Sequence, residues 1–142
     1  MDIQELPRTE PTRAYPKPVV VVADDDSETL LALERLLREE PYDLYLTTDP
    51  EKALEWIRTR QVSVVISDQR MPGMDGATLL EWTRASSPRT ARILLTAYPL
   101  DRIVLHARSR GLLTLLGKPW DAKELKRVVR ERVRERELTD QR

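Results

Sequence analysis

Four consecutive valines, Val19 to Val22, followed by Ala23, do the most to narrow the folds open to this chain. An apolar, β-branched run without alternation makes a strand that has no wet face. Such a strand needs cover on both sides, which helices flanking a parallel sheet supply. Val62-Ser63-Val64-Val65-Ile66-Ser67 is a second run of this kind. Ile93 to Thr96 and Leu112 to Leu116 give two more, and Tyr42 to Thr47 gives a less apolar one that suits an edge.

Helical signals fill the gaps between these runs. Ser27 is placed to cap a first helix whose Leu30, Leu33, Leu36 and Leu37 make one apolar stripe, and Pro41 stops it. Asp49-Pro50 pairs an N-cap with proline at the first helical position, and this helix uses Ala53, Leu54, Trp56 and Ile57. A third follows Gly76 with Leu79, Leu80 and Trp82 inward. A fourth spans roughly Leu100 to Arg110 and ends at Gly111. Asp121, with Glu124 three later, opens a last helix built on Leu125, Val128, Val129 and Val133 and running toward Leu138. Strands alternating with helices on short connections predict an α/β fold, a five-stranded parallel sheet with five helices on its two faces. Residues 1–17, with Pro7, Pro11 and Pro16 among charges, read as a disordered tail. One domain then covers 18–133, and 134–142 reads as a charged helical extension or linker that projects from it, because the apolar stripe thins to Leu138 alone.

Bulk properties narrow the function classes. The 24 basic and 24 acidic residues cancel, so charge gives no footprint for direct nucleic-acid binding or for a membrane surface. There is no cysteine, and hence no disulfide or thiolate chemistry. No apolar run approaches the roughly 20 residues of a membrane span, and the N-terminus lacks a signal-peptide core. The expectation is a soluble, cytoplasmic protein. The one histidine, His106, cannot form a histidine metal cluster and reads as a surface residue. Trp56 and Trp82 read as packing residues, and the Arg/Glu-rich stretch from Arg130 to Glu137 as a solvated helix.

The polar residues at the strand ends carry the chemistry. Asp24 and Asp25 follow the first strand, Asp68 the third, Thr96 the fourth and Lys118 the fifth. All are at carboxyl ends, and in a parallel sheet these share the edge where ligands bind. Behind Asp68, Pro72, Gly73 and Gly76 hold a loop. Clustered carboxylates repel unless a cation is present, and hard divalent ions such as magnesium take carboxylate oxygens and draw phosphate oxygens. Thr96 offers a hydroxyl and Lys118 a compact positive charge. That set suits phosphoryl transfer onto a carboxylate, where positioning and charge neutralisation do most of the catalysis.

From Val19 to about Val133 the chain resembles the receiver domain of bacterial two-component response regulators. The matching strings are Val-Val-Ala-Asp24-Asp25-Asp26, Ile66-Ser67-Asp68-Gln-Arg-Met-Pro-Gly-Met-Asp-Gly76, Leu94-Leu95-Thr96-Ala97 and Lys118-Pro119. The resemblance implies a flavodoxin-like three-layer sandwich with strand order 2-1-3-4-5. It implies that Asp68 accepts a phosphoryl group from a sensor histidine kinase or a histidine phosphotransfer protein. Asp25, Asp68 and the Arg70 carbonyl would hold Mg2+, with Asp24 acting mostly through water. Thr96 and Lys118 would contact the phosphoryl oxygens, aided by backbone amides near Arg70 and Ala97, and the Lys118-Pro119 bond would be cis.

The same resemblance assigns the switch to Thr96 and to the residue three before the lysine, commonly Tyr or Phe in the family. Here that residue is Leu115, which has no ring to swing, so the expectation is switching carried more by the loop after Thr96 and by the fourth helix. Arg70 and Tyr98 occupy the two places that influence dephosphorylation in the family. Both are large and neither is a carboxylate, which implies slow self-dephosphorylation. Asp-Gln-Arg-Met-Pro-Gly and Lys-Pro-Trp resemble receivers attached to transcription activators or to cyclic-dinucleotide phosphodiesterases, and a homodimer is compatible with the resemblance. Two rivals stand beside this reading. One is a receiver-like interaction module that works without phosphorylation. The other is a phosphatase of the haloacid dehalogenase type using Asp24; against it, Glu28 stands where that family has threonine, the chain is short and Asp68 would be idle.

Overall fold

A computed structural model describes residues 17–111 and 113–140. The expected N-terminal tail up to residue 16, and Leu112 at the start of the expected fifth strand, lie outside the described residues. The elements are β1 (Val19–Ala23), α1 (Ser27–Leu37), β2 (Asp43–Thr47), α2 (Pro50–Thr59), β3 (Val64–Asp68), α3 (Gly76–Ser86), β4 (Ala91–Thr96), α4 (Arg102–Ser109), β5 (Thr114–Gly117) and α5 (Ala122–Asp140). The strands form one parallel sheet in the order β2-β1-β3-β4-β5. This is the expected flavodoxin-like order, and it reverses between β1 and β3, where a crevice opens at the carboxyl ends.

The valine run lacks alternation because two cores share it. Val20 and Val22 pack with the inward residues of α1 and α5, including Leu33, Leu37, Leu125 and Val129. Val21 and Ala23 face the other way, onto Trp56 and Ile57 of α2 and Leu79 and Leu80 of α3. Val20, Val21 and Val22 have no exposed surface. Each such side chain, fully buried, stabilises the fold by roughly 1.5–3 kcal/mol.

Several local features differ from expectation. Asp26, not Ser27, caps α1: its carboxylate accepts from the Glu28 amide at 3.1 Å and the Thr29 hydroxyl at 2.9 Å, and Ser27 is already helical. The carboxylate meets the two donors with a separate oxygen each, and its negative charge suits the amino-terminal end of the helix. Helix α4 begins later than expected because Asp101 caps it, accepting from Ile103 and Val104. Tyr98 to Asp101 form a turn instead, closed by the Asp101 amide on the Tyr98 carbonyl at 3.1 Å. Trp82 is half exposed, since the buried stripe of α3 continues to Thr83 and leaves Trp82 on the outer face.

Helix α5 continues past Val133 to Asp140, and its last turns are held to the domain. Arg136 donates to the Val62 carbonyl at 3.1 Å and to Asp140 at 3.2 Å, and Asp140 also pairs with Arg89. These contacts lie at the amino-terminal edge of the sheet. A projecting linker was the expectation; the contacts instead hold the described part of this extension in place. Arg130 grips the buried Glu40 with two hydrogen bonds, of 2.5 and 2.8 Å, and so ties α5 to the turn before β2.

Candidate functional site

Strands β1, β3, β4 and β5 deliver Asp24, Asp25, Asp68, Thr96 and Lys118 to one edge, as their carboxyl-end positions predict. Carboxylate oxygens of Asp24, Asp25 and Asp68 lie within 4.8 Å of one another. Asp24 is 2% exposed, Asp68 is partly buried and Asp25 faces solvent. Three hard anionic oxygens at this spacing fit a hard divalent cation such as Mg2+, with room for water ligands on the open side.

Lys118 joins the carboxylates. Its ammonium donates to Asp24 at 2.9 Å and lies 3.2 Å from Asp68. The Lys118 amide donates to the Thr96 carbonyl at 2.8 Å, and the Lys118-Pro119 bond is cis. Burial raises the Asp24 carboxyl above its ordinary value, against the lowering effect of the Lys118 hydrogen bond. Burial alone would lower the Lys118 ammonium, but the hydrogen bond and charge of Asp24, together with Asp68, outweigh it and leave it raised. Lys118 is therefore firmly protonated.

Both oxygens of Asp24 are engaged: one accepts the Asp26 amide at 2.9 Å, the other the Lys118 ammonium. A carboxylate so enclosed is a poor nucleophile, which counts against the phosphatase reading. Asp68 is more open: one oxygen accepts the Gln69 amide at 2.9 Å and also faces Lys118. The loop behind Asp68 is fixed by contacts absent from the sequence reading. Gln69 is 6% exposed and its side-chain carbonyl accepts the Ala77 amide at 2.8 Å, while its main-chain carbonyl accepts Gly76. A polar residue beside an aspartate at a strand tip carries no sequence mark of burial, so Gln69 had no signal to find. Gly76 has a packing role: a Cβ there would lie 2.2 Å from the Asp68 carbonyl oxygen and 2.6 Å from Leu94. Only glycine lets α3 start that close to the end of β3.

The Thr96 hydroxyl, buried, accepts the Tyr98 amide at 2.9 Å. The Tyr98 ring is half exposed, and the Arg70 guanidinium stacks on it 3.9 Å from the ring centre. Beside this pair an open cavity of about 550 Å³ runs between the loop after Asp68 and the start of α4, lined by Arg70, Met71, Asp101 and Ile103 among others. Leu115 is half-buried and packs against the core on the α2–α3 side. His106 is exposed on α4 and apart from these residues. No helix among the described residues is long and apolar enough to cross a membrane.

Comparison with known proteins agrees with this geometry. The family model of the response regulator receiver domain matches residues 20–130. The transcriptional regulatory protein ZraR of Escherichia coli O157:H7 is 31% identical over 121 residues, 85% of this chain and 27% of that protein. The DNA-binding transcriptional regulator NtrC of Escherichia coli K12 is 32% identical over 111 residues, 78% of this chain and 24% of that protein. The chain thus spans about a quarter of the length of these relatives. The crystal structure of the signal receiver domain of an HD domain-containing protein from Pseudomonas fluorescens Pf-5 matches with a TM-score of 0.83 at 32% identity, covering 92% of this chain and 97% of that one. Sequence, fold and strand-tip chemistry therefore converge, and the chain belongs to the response regulator receiver domain family.

Proposed function

We propose that this domain accepts a phosphoryl group on Asp68 from the phosphohistidine of a sensor histidine kinase or a histidine phosphotransfer protein. A lone pair on an Asp68 carboxylate oxygen forms the new P–O bond as the P–N bond to the donor imidazole breaks. The leaving nitrogen keeps the bonding pair and takes a proton from solvent. Asp25, Asp68 and the Arg70 carbonyl would hold Mg2+, with Asp24 reaching it mostly through water. The ion would neutralise charge on the transferring oxygens. Lys118 stays protonated and moves from the carboxylates to a phosphoryl oxygen, while the Thr96 hydroxyl donates to another. The observation that carries this reading is the partly open Asp68 carboxylate 3.2 Å from Lys118, beside two further carboxylates.

The phosphorylated domain then signals to an output. ZraR and NtrC are named as transcriptional regulators, and the neighbour from Pseudomonas fluorescens is the receiver of an HD domain-containing protein. An attached transcription activator or cyclic-dinucleotide phosphodiesterase is the corresponding proposal here, with a homodimer compatible with either. Thr96 and Leu115 occupy the switch positions, and the loop from Thr96 into α4 carries most of the change because Leu115 has no ring. Arg70 and Tyr98 control how long the phosphate survives.

Incubation with Mg2+ and acetyl phosphate, followed by intact mass measurement, tests the acceptor. One phosphoryl group should be added, and both chelation of the metal and Asp68→Asn should abolish it. Labelling that persists in Asp68→Asn would overturn the assignment.

A further inference from the structure

Arg70 and Tyr98 make a contact whose two halves are each tied to the acceptor site. Arg70 follows Asp68 by two residues on the β3–α3 loop, and its guanidinium rests on the Tyr98 ring at 3.9 Å. Tyr98 follows Thr96 by two residues, and its amide is bound to the Thr96 hydroxyl at 2.9 Å. Among the described residues Arg70 forms no ion pair with a carboxylate, although Asp75 and Asp101 line the same cavity. Both acidic side chains are occupied as helix caps, of α3 and α4. The ring is therefore the main restraint on the guanidinium.

A cation on an exposed aromatic face is a weak contact. A guanidinium on a phosphoryl group is a strong one, because two N–H donors meet two anionic oxygens. A charge placed on Asp68 thus competes for Arg70 and wins. Thr96 works in the same direction: turning its hydroxyl toward Asp68 either releases the Tyr98 amide or draws it along.

Resting on the phosphoacceptor reading above, we infer that the Arg70–Tyr98 stack is a latch that phosphorylation opens. With Asp68 unmodified, Tyr98 holds the guanidinium away from the acceptor. With Asp68 phosphorylated, Arg70 moves to the phosphoryl oxygens and the ring is set free. The freed ring adjoins the turn into α4, where Leu100 and Ile103 are exposed. Tyr98 thereby becomes the aromatic reporter that Leu115 cannot be, at a different place in the fold.

Beryllofluoride with Mg2+ provides the probe, because its fluorine resonances report loading of Asp68 independently of the latch. The Arg70 Nε proton should be shifted upfield by the ring in the free protein and return to its ordinary position on loading. Tyr98→Leu removes the competitor for Arg70, so it should tighten beryllofluoride binding about two- to fivefold, the size of one exposed cation–π contact. Tyr98→Phe keeps the ring and should bind like the parent. The Tyr98→Leu gain should vanish in an Arg70→Ala background, which a merely structural role for Tyr98 would not produce. Normal loading with an unmoved Arg70 signal, or a Tyr98→Leu gain that survives Arg70→Ala, would overturn the latch alone. Failure of Asp68 to load at all would overturn the phosphoacceptor reading and the latch with it.

Discussion

Arg70 illustrates how one residue can serve several purposes, through its backbone and its side chain. Its carbonyl is the proposed third metal ligand, and on the phosphoacceptor proposal its guanidinium, stacked on Tyr98, would border the path of a hydrolytic water to the phosphorus. It is bulky and cannot orient a water as a carboxylate would. Arg70→Asn should therefore speed loss of phosphate by up to about tenfold, a barrier change of about 1.4 kcal/mol. Decay of the labelled protein after donor removal measures this, and an unchanged or slower rate would rule out shielding. The clustering of Asp24, Asp25, Asp68 and Lys118 was legible in the sequence, because strand-tip residues in a parallel sheet share one edge. Gln69 and Gly76 were legible only as loop residues. Their roles depend on what packs across from them, the Ala77 amide and the Asp68 carbonyl, and neither contact leaves a local pattern.

At the scale of elements, unbroken apolar runs located the strands, and apolar stripes, caps and breakers located the helices, while boundaries depended on side-chain competition. Asp26 took the cap of α1 from Ser27, and Asp101 shortened α4. The fixing of the α5 end by Arg136 and Asp140 was hidden because charged residues on a thinning stripe read as solvated. The Glu40–Arg130 pair is similarly non-local, joining residues 90 apart. Its hydrogen bond from Arg130 lowers the Glu40 carboxyl below the ordinary value, against burial, which raises it. A carboxyl lowered in the folded state contributes stability above its unfolded value, about 4.3, and loses it as the pH falls through the folded value. Glu40→Gln should thus lower stability at pH 7 and flatten the acid limb of the stability curve below about pH 4.3. Urea unfolding at several pH values checks this, and a parallel acid limb in parent and variant would exclude the pair as its source.

For the whole molecule, the acidic edge sets stability against function. Three carboxylates within 4.8 Å repel in the metal-free state. Asp25→Asn should leave metal-free stability equal to the parent's or slightly above it, because Asp25 faces solvent, while erasing the increase that Mg2+ binding would give the parent by mass action. Thermal scans with and without Mg2+ would show both effects, and a variant that keeps the magnesium increment would remove Asp25 from the site. The two margins of the sheet have a separate consequence, for behaviour in concentrated solution. Exposed strand edges are where chains pair indiscriminately and aggregate. Here β2 has five residues and β5 only four, and β5 gives way almost at once to Pro119, which has no amide hydrogen to offer a visiting strand. The β5 margin offers a visiting strand a ladder of only four residues, closed off by Pro119, so stacking through it is discouraged even when many copies crowd together.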